Sequence, residues 1–141
     1  MTYRFDGYNY IVVFKKGEEL VEKLLQFAGH NGLKGCWVEG IGGALELELG
    51  YYDVEKRTYK WQTYPTVCEI ASLQGTIAQD EKDEPVVHLH GVFSGNDYQT
   101  VGGHVRRLIV GGTCELFVHV FQQPLNRQFD GETGLKLLQL E

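Results

Sequence analysis

PVVHLHGVFSGNDYQTVGGH, residues 85–104, is the stretch on which the reading of this chain turns. His88 and His90 lie at i and i+2 within an apolar run, and His104 follows Gly102-Gly103. Between them, Ser94-Gly95-Asn96-Asp97 is a cluster of turn-forming residues. Side chains on a strand alternate faces, so His88 and His90 project from one face, roughly 6.6 Å apart along it. A reversal at 94–97 folds residues 98–110 back antiparallel to them. Register then decides what the histidines can do. A two-residue loop, Gly95-Asn96, pairs His88 with Gly103 and sends His104 to the opposite face. A three-residue loop, Gly95-Asn96-Asp97, pairs His88 with His104 and brings all three rings to one face. A bulge at Gly102-Gly103 would also correct the parity. Three converging neutral imidazoles suit a divalent metal, zinc above all, with a fourth coordination position open. Without convergence, each is an ordinary packing or hydrogen-bonding residue of a strand.

The bulk properties narrow the classes. The 141 residues make one domain's worth of chain, read here as a single domain over 1–141. Hydrophobic residues at 43% and charged residues at 23% are ordinary for a globular protein and argue against disorder. No apolar run approaches the ~20 residues of a membrane span, so no membrane partner is expected. The opening MTYRFDGYNYIVVF lacks the layout of a signal peptide, which points to the cytoplasm. Cys36, Cys68 and Cys114 are isolated within strand-like apolar runs, and are expected as buried free thiols. The net charge of -6 argues against a stand-alone DNA binder, because phosphate contacts are made by Lys and Arg. Lys15-Lys16, Lys56-Arg57 and Arg106-Arg107 are only short basic pairs.

Along the chain, 8–14 reads as a strand rich in aromatic and β-branched residues. Leu20, Leu24 and Phe27, flanked by Val21 and Ala28, form one face of a helix over 18–28, opened by Glu18-Glu19 and ended by Gly29-His30-Asn31-Gly32. His30 there caps the last turn or faces water. Residues 35–52 return to strand, interrupted at Gly40-Ile41-Gly42-Gly43, with strict alternation over Leu45–Leu49 placing leucines inward. Strands follow at 58–64 and 67–78, with Pro65 in the turn between them, and then comes the histidine stretch. Residues 99–110 and 113–122 read as a hairpin joined at Gly111-Gly112, with His119 structural, and 135–140 as a closing strand. The fold class is therefore α+β: a largely antiparallel, barrel-like sheet of about seven strands carrying one main helix. Eight Tyr, seven Phe and two Trp exceed what a small core needs, so an oligomer is expected.

Taken in order, these segments resemble a known family over nearly the whole chain. They are the strand–helix opening, Gly40-Ile41-Gly42-Gly43-Ala44-Leu45, Glu69-Ile70-Ala71-Ser72-Leu73-Gln74-Gly75, His88-Leu89-His90, Gly102-Gly103-His104 and Thr133-Gly134-Leu135. The family is the PPC (plants and prokaryotes conserved) domain. The resemblance implies a homotrimer of an α+β domain. In prokaryotic members it implies a metal, usually zinc, on the matching histidines, here His88, His90 and His104. In plants the domain accompanies AT hooks that contact DNA, and no such motif occurs in this sequence. The plant Gly-Arg-Phe-Glu-Ile-Leu segment, which engages other transcription factors, is here Thr66-Val67-Cys68-Glu69-Ile70-Ala71, without the Gly-Arg-Phe lead. The expected function is a metal-binding homotrimer with a DNA-associated or regulatory role. Direct DNA binding is one alternative. The other is a hydrolase-type enzyme using the same histidines on a metal, with Glu39 or Glu69 as general base.

Overall fold

Period-two alternation dominates the sequence, and the computed structural model, which describes residues 1–140, is accordingly built on one nine-stranded sheet. In chain order the elements are β1 (Thr2–Phe5), β2 (Asn9–Lys15), α1 (Leu20–His30), β3 (Cys36–Asp53), β4 (Thr58–Tyr64) and β5 (Cys68–Gln79). β6 (Pro85–Ser94), β7 (Thr100–Val120), β8 (Asn126–Phe129) and β9 (Lys136–Gln139) complete it. Nine strands stand where about seven were expected, with 99–110 and 113–122 joined into the single strand β7. β1 and β8 are additional, and the 135–140 segment pairs with β8 as a terminal hairpin. A single parallel bridge, Gln79 to Asn126, makes the otherwise antiparallel sheet mixed.

The expected hairpin at Gly111-Gly112 does not form. β7 runs through it as one strand of 21 residues. A two-residue type I′ turn needs positive φ at both central residues, and neither glycine has it. Instead β7 lies along β3, with register shifts where it passes Gly42, Ala44 and Glu46. These two long strands organise the sheet. β3 pairs with β5 and β7, and β6 pairs with the same two strands, so the hydrogen bonding closes a circuit through β3, β5, β6 and β7. β2 and β4 branch from it onto β7 and β3.

One face of this circuit is the core. Val38, Leu47, Leu73, Ile77, Leu89, Phe93, Leu116 and Val118 are all essentially inaccessible. α1 covers this face through Leu20, Leu24, Phe27 and Ala28, packing on β6 and β7. The helix begins at Leu20, directly after Glu18-Glu19. Glu19 is its N-cap, accepting from the Val21 and Glu22 amides, and also accepts from the Leu108 amide of β7 at 3.0 Å. The cap therefore fixes the helix end to the sheet. His30 ends the helix, and the side-chain amide of Asn31 donates to the Phe27 carbonyl. All three cysteines are free and buried, as expected, and burial pushes the Cys36 and Cys114 thiols up to about 11 and about 12. No helix is long and apolar enough to cross a membrane among the described residues.

β6 lies tight against Gly75 of β5, where a Cβ would lie 1.9 Å from the carbonyl oxygen of His88. A side chain there has to separate the two strands. Gly75→Ala is therefore expected to cost on the order of 1–3 kcal/mol, as overpacking does, seen as a lowered urea midpoint. Gly112→Ala, with open space around the added carbon, should stay within about 0.5 kcal/mol of the parent.

Candidate metal centre

The β6–β7 turn is longer than either loop considered from sequence. Ser94 pairs with Thr100, leaving Gly95–Gln99 as a five-residue connection. It is closed by hydrogen bonds from the Gly95 amide to the Gln99 carbonyl and from the Tyr98 amide to the Gly95 carbonyl, both 3.0 Å. Asp97 accepts from the Gln99 amide at 3.0 Å, and Tyr98 takes a positive φ of 62°. His90, rather than His88, consequently faces His104. The ladder between them runs without a bulge at Gly102-Gly103. Relative to the three-residue loop the register moves by two, and a shift of two preserves the face. All three imidazoles remain on one side of the sheet, opposite the core.

They form a compact cluster. One ligand atom from each of His88, His90 and His104 lies within 4.8 Å of the others. Ring centroids are 5.1 Å apart for His88–His90 and His88–His104, and 5.5 Å for His90–His104. His90 is exposed, while its two partners are half-buried. Burial lowers His88 to about 4, helped by the Arg127 charge and by the two neighbouring histidines. Burial likewise lowers His104 to about 4, helped by His90 and Arg127. Both rings are thus neutral at pH 7, the form that carries a free lone pair. Nδ1 of His104 is buried without a hydrogen-bond partner, although buried polar atoms are nearly always paired.

Two walls flank the cluster. On one side β4 lays Tyr59 and Trp61 stacked at 4.6 Å, with Tyr59 5.3 Å and Trp61 6.0 Å from His104. They lie across Gly50, the β3 partner of both His104 and Trp61, where a Cβ would meet the Trp61 ring at 2.6 Å. On the other side is Arg127 of β8, which is 8% exposed. Its Nη2 donates to His88 Nδ1 at 3.0 Å and to Thr76 Oγ1 at 3.1 Å, and its Nη1 donates to the Lys136 carbonyl at 3.0 Å. The β8–β9 hairpin that carries it is tied down by Lys136 to Asp80 and Glu81, and by Tyr52 to the Thr133 carbonyl.

Sequence reading singled out neither wall. Asn126-Arg127-Gln128-Phe129 is too short and polar to stand out as a strand, and nothing local links it to His88. The two carboxylates named as possible bases are elsewhere. Glu39 faces Gln74, which faces His90, so it is two strand spacings away, roughly 10 Å. It is engaged with Trp37 at 3.2 Å and His119 at 3.4 Å, and these bonds hold its pKa low. His119 belongs to that pair and not to the cluster. Glu69 faces Ser94, five residues along β5 from Gln74 and roughly 16 Å distant. His30 is exposed at the end of α1.

Comparison with known proteins places this geometry in a family. No curated protein matches the chain. Several solved structures superpose on nearly all of it. A candidate DNA-binding protein from Bacteroides thetaiotaomicron is 27% identical, with a TM-score of 0.93 over 98% of this chain and 96% of that one. A candidate DNA-binding protein from Ralstonia eutropha is 32% identical, with a TM-score of 0.91 over 99% and 96%. A metal-containing protein from Archaeoglobus fulgidus is 29% identical, with a TM-score of 0.86 over 99% of both chains. The sequence profile of the Plants and Prokaryotes Conserved domain, abbreviated PCC or PPC, matches residues 1–122 and takes in all three clustered histidines; the chain belongs to that family.

Proposed function

We propose that this chain is a single-domain PPC protein that holds a divalent metal, zinc, on His88, His90 and His104. In this reading it assembles as a homotrimer in the cytoplasm and has a DNA-associated or regulatory role. The observation that carries the metal reading is the approach of three ring nitrogens to within 4.8 Å on one face. A zinc ion with 2.0–2.1 Å bonds to nitrogen needs them about 3.3 Å apart, a difference that small side-chain rotations cover. The residues fit such an ion in two further respects. Two of the rings are neutral at pH 7, and the orphaned Nδ1 of His104 has a lone pair to give. A bound zinc ion would supply Lewis acidity and an open coordination position. The metal-containing description of the Archaeoglobus relative supports the same reading, and three free buried thiols are in keeping with a reducing compartment.

The DNA-binding descriptions of two relatives support an association with DNA, but direct phosphate contact has little to work with here. Arg106 and Arg107 pair with Glu48 and Glu46, and Lys56 pairs with Asp53. A hydrolytic role lacks a base, since neither Glu39 nor Glu69 reaches the cluster. Homotrimer formation is supported by apolar side chains on the outward face: Ile41 is 61% and Phe117 48% exposed, lining one groove with Ala71. Exposed apolar groups gathered in this way are what association buries.

Three outcomes are expected. Elemental analysis of untagged protein should find about one zinc-like ion per chain, as a single three-histidine site requires, lost in His88→Ala/His104→Ala. Light scattering should give three times the chain mass, and Ile41→Asp/Phe117→Asp should reduce it. Chelator-treated protein should lose stability as pH falls from about 6.5 to about 4, because the unfolded histidines take up protons in that window and the folded ones do not. Below it, these two groups contribute no further slope. A urea series across pH should show the window flattened in His88→Gln/His104→Gln.

A further inference from the structure

Among the described residues, Arg127 is the only charged side chain that is buried, and no carboxylate lies within 4 Å of it. A buried guanidinium without a counter-ion is strongly unfavourable unless something supplies the missing negative charge. Its hydrogen bonds are also incomplete. Nη1 and Nη2 have the partners described above, but Nε is buried with none.

Filling the metal centre makes this imbalance larger. His88 Nδ1 accepts from Arg127, so the proton of the neutral ring is on Nε2. A metal taken by Nδ1 displaces the guanidinium from that lone pair. A metal taken by Nε2 moves the ring proton to Nδ1, which then becomes a donor and cannot accept from Nη2. Either way Arg127 is left with free donors beside a dication, and the surrounding ligands are neutral imidazoles. The walls are equally telling. The planar guanidinium fork matches a carboxylate, which is planar and accepts two parallel hydrogen bonds. Across the cluster, the Tyr59 and Trp61 rings beside His104 offer apolar surface for a carbon skeleton, with the Arg106 guanidinium 4.7 Å over the Trp61 ring.

We propose, resting on the metal reading above, that the centre binds a small organic carboxylate, with one oxygen on the metal and the other on the Arg127 donors released from His88. Arg127 is the residue that sets this specificity. It lies on β8, beyond residue 122 where the family match ends. The terminal hairpin therefore completes a site whose histidines come from β6 and β7.

The test uses the full-length protein loaded with cobalt(II), whose visible absorption reports its coordination, titrated with benzoate and separately with inorganic phosphate. Benzoate should shift the spectrum saturably. Arg127→Gln should keep its cobalt and bind benzoate about 10- to 100-fold more weakly, the loss expected for a charge-assisted hydrogen bond. Arg127→Lys, which keeps the charge and loses the fork, should fall between; it also covers the case in which glutamine loosens the hairpin. Equal benzoate affinity in wild type and Arg127→Lys or Arg127→Gln overturns the role of Arg127. Phosphate binding more tightly than benzoate overturns the carboxylate assignment. Cobalt content is read before any anion is added, so a wild type that binds none overturns the metal reading itself, and the ligand with it.

Discussion

β6 is hydrogen-bonded along both edges, to β5 over most of its length and to β7 through residues 90–94, and the rest of the molecule depends on that double pairing. It closes the circuit of β3, β5, β6 and β7, so Leu89 and Phe93 face a core shared with Leu73 and Leu116. It also fixes which way the histidines point. A slip of one residue between β6 and β7 would send His104 into the apolar interior and Val105 outward, at a cost in buried area and in an unsatisfied ring. The parity of the histidine face is thus enforced by the core on the other side of the same strands.

The close approach of β5 at Gly75 and the flat stacking of Tyr59 and Trp61 over Gly50 shape the outer face in a similar way. In each case an absent side chain lets a neighbour come near the cluster. The result is a patch of three imidazoles, two of them half withdrawn from water, between an aromatic wall and a buried cation. Desolvation and like charge both disfavour protonation of His88 and His104. The protein environment therefore keeps available the lone pairs a metal would use, and it does so without any carboxylate of its own at the centre. A metal held by three neutral ligands and a nearby guanidinium leaves a net positive field, which an anionic ligand would satisfy.

The outward face beyond the cluster has a different character. Glu39, Trp37 and His119 form their own hydrogen-bonded group, next to the exposed apolar side chains of Ile41 and Phe117. Arg106 and Arg107 are tied to Glu48 and Glu46 on the adjacent strand β3, and Lys56 to Asp53 within the β3–β4 turn. The two cross-strand pairs serve the sheet surface, which is why a short run of Arg in a strand is poor evidence for a nucleic-acid interface.

Much of this was legible in the residues. Alternation over Leu45–Leu49, the apolar face of α1, the strands at 58–64 and 67–78, the buried thiols and the three clustered histidines follow from local periodicity, because burial on one face imposes it. Sequence alone determined that His88 and His90 share a face and that a turn returns His104 toward them. Three things were decided only by tertiary structure. The turn took five residues because Asp97 and the Gly95 amide close it internally, a choice among loops that composition leaves open. Gly111-Gly112 stayed extended because β7 is paired with β3 on both sides of it, and long-range pairing outweighs a local turn signal. Arg127 reached His88 across 39 residues of chain because the terminal hairpin docks on β5 and the 80–84 loop. A contact of that kind is set by packing between distant segments, and no local pattern in the sequence encodes it.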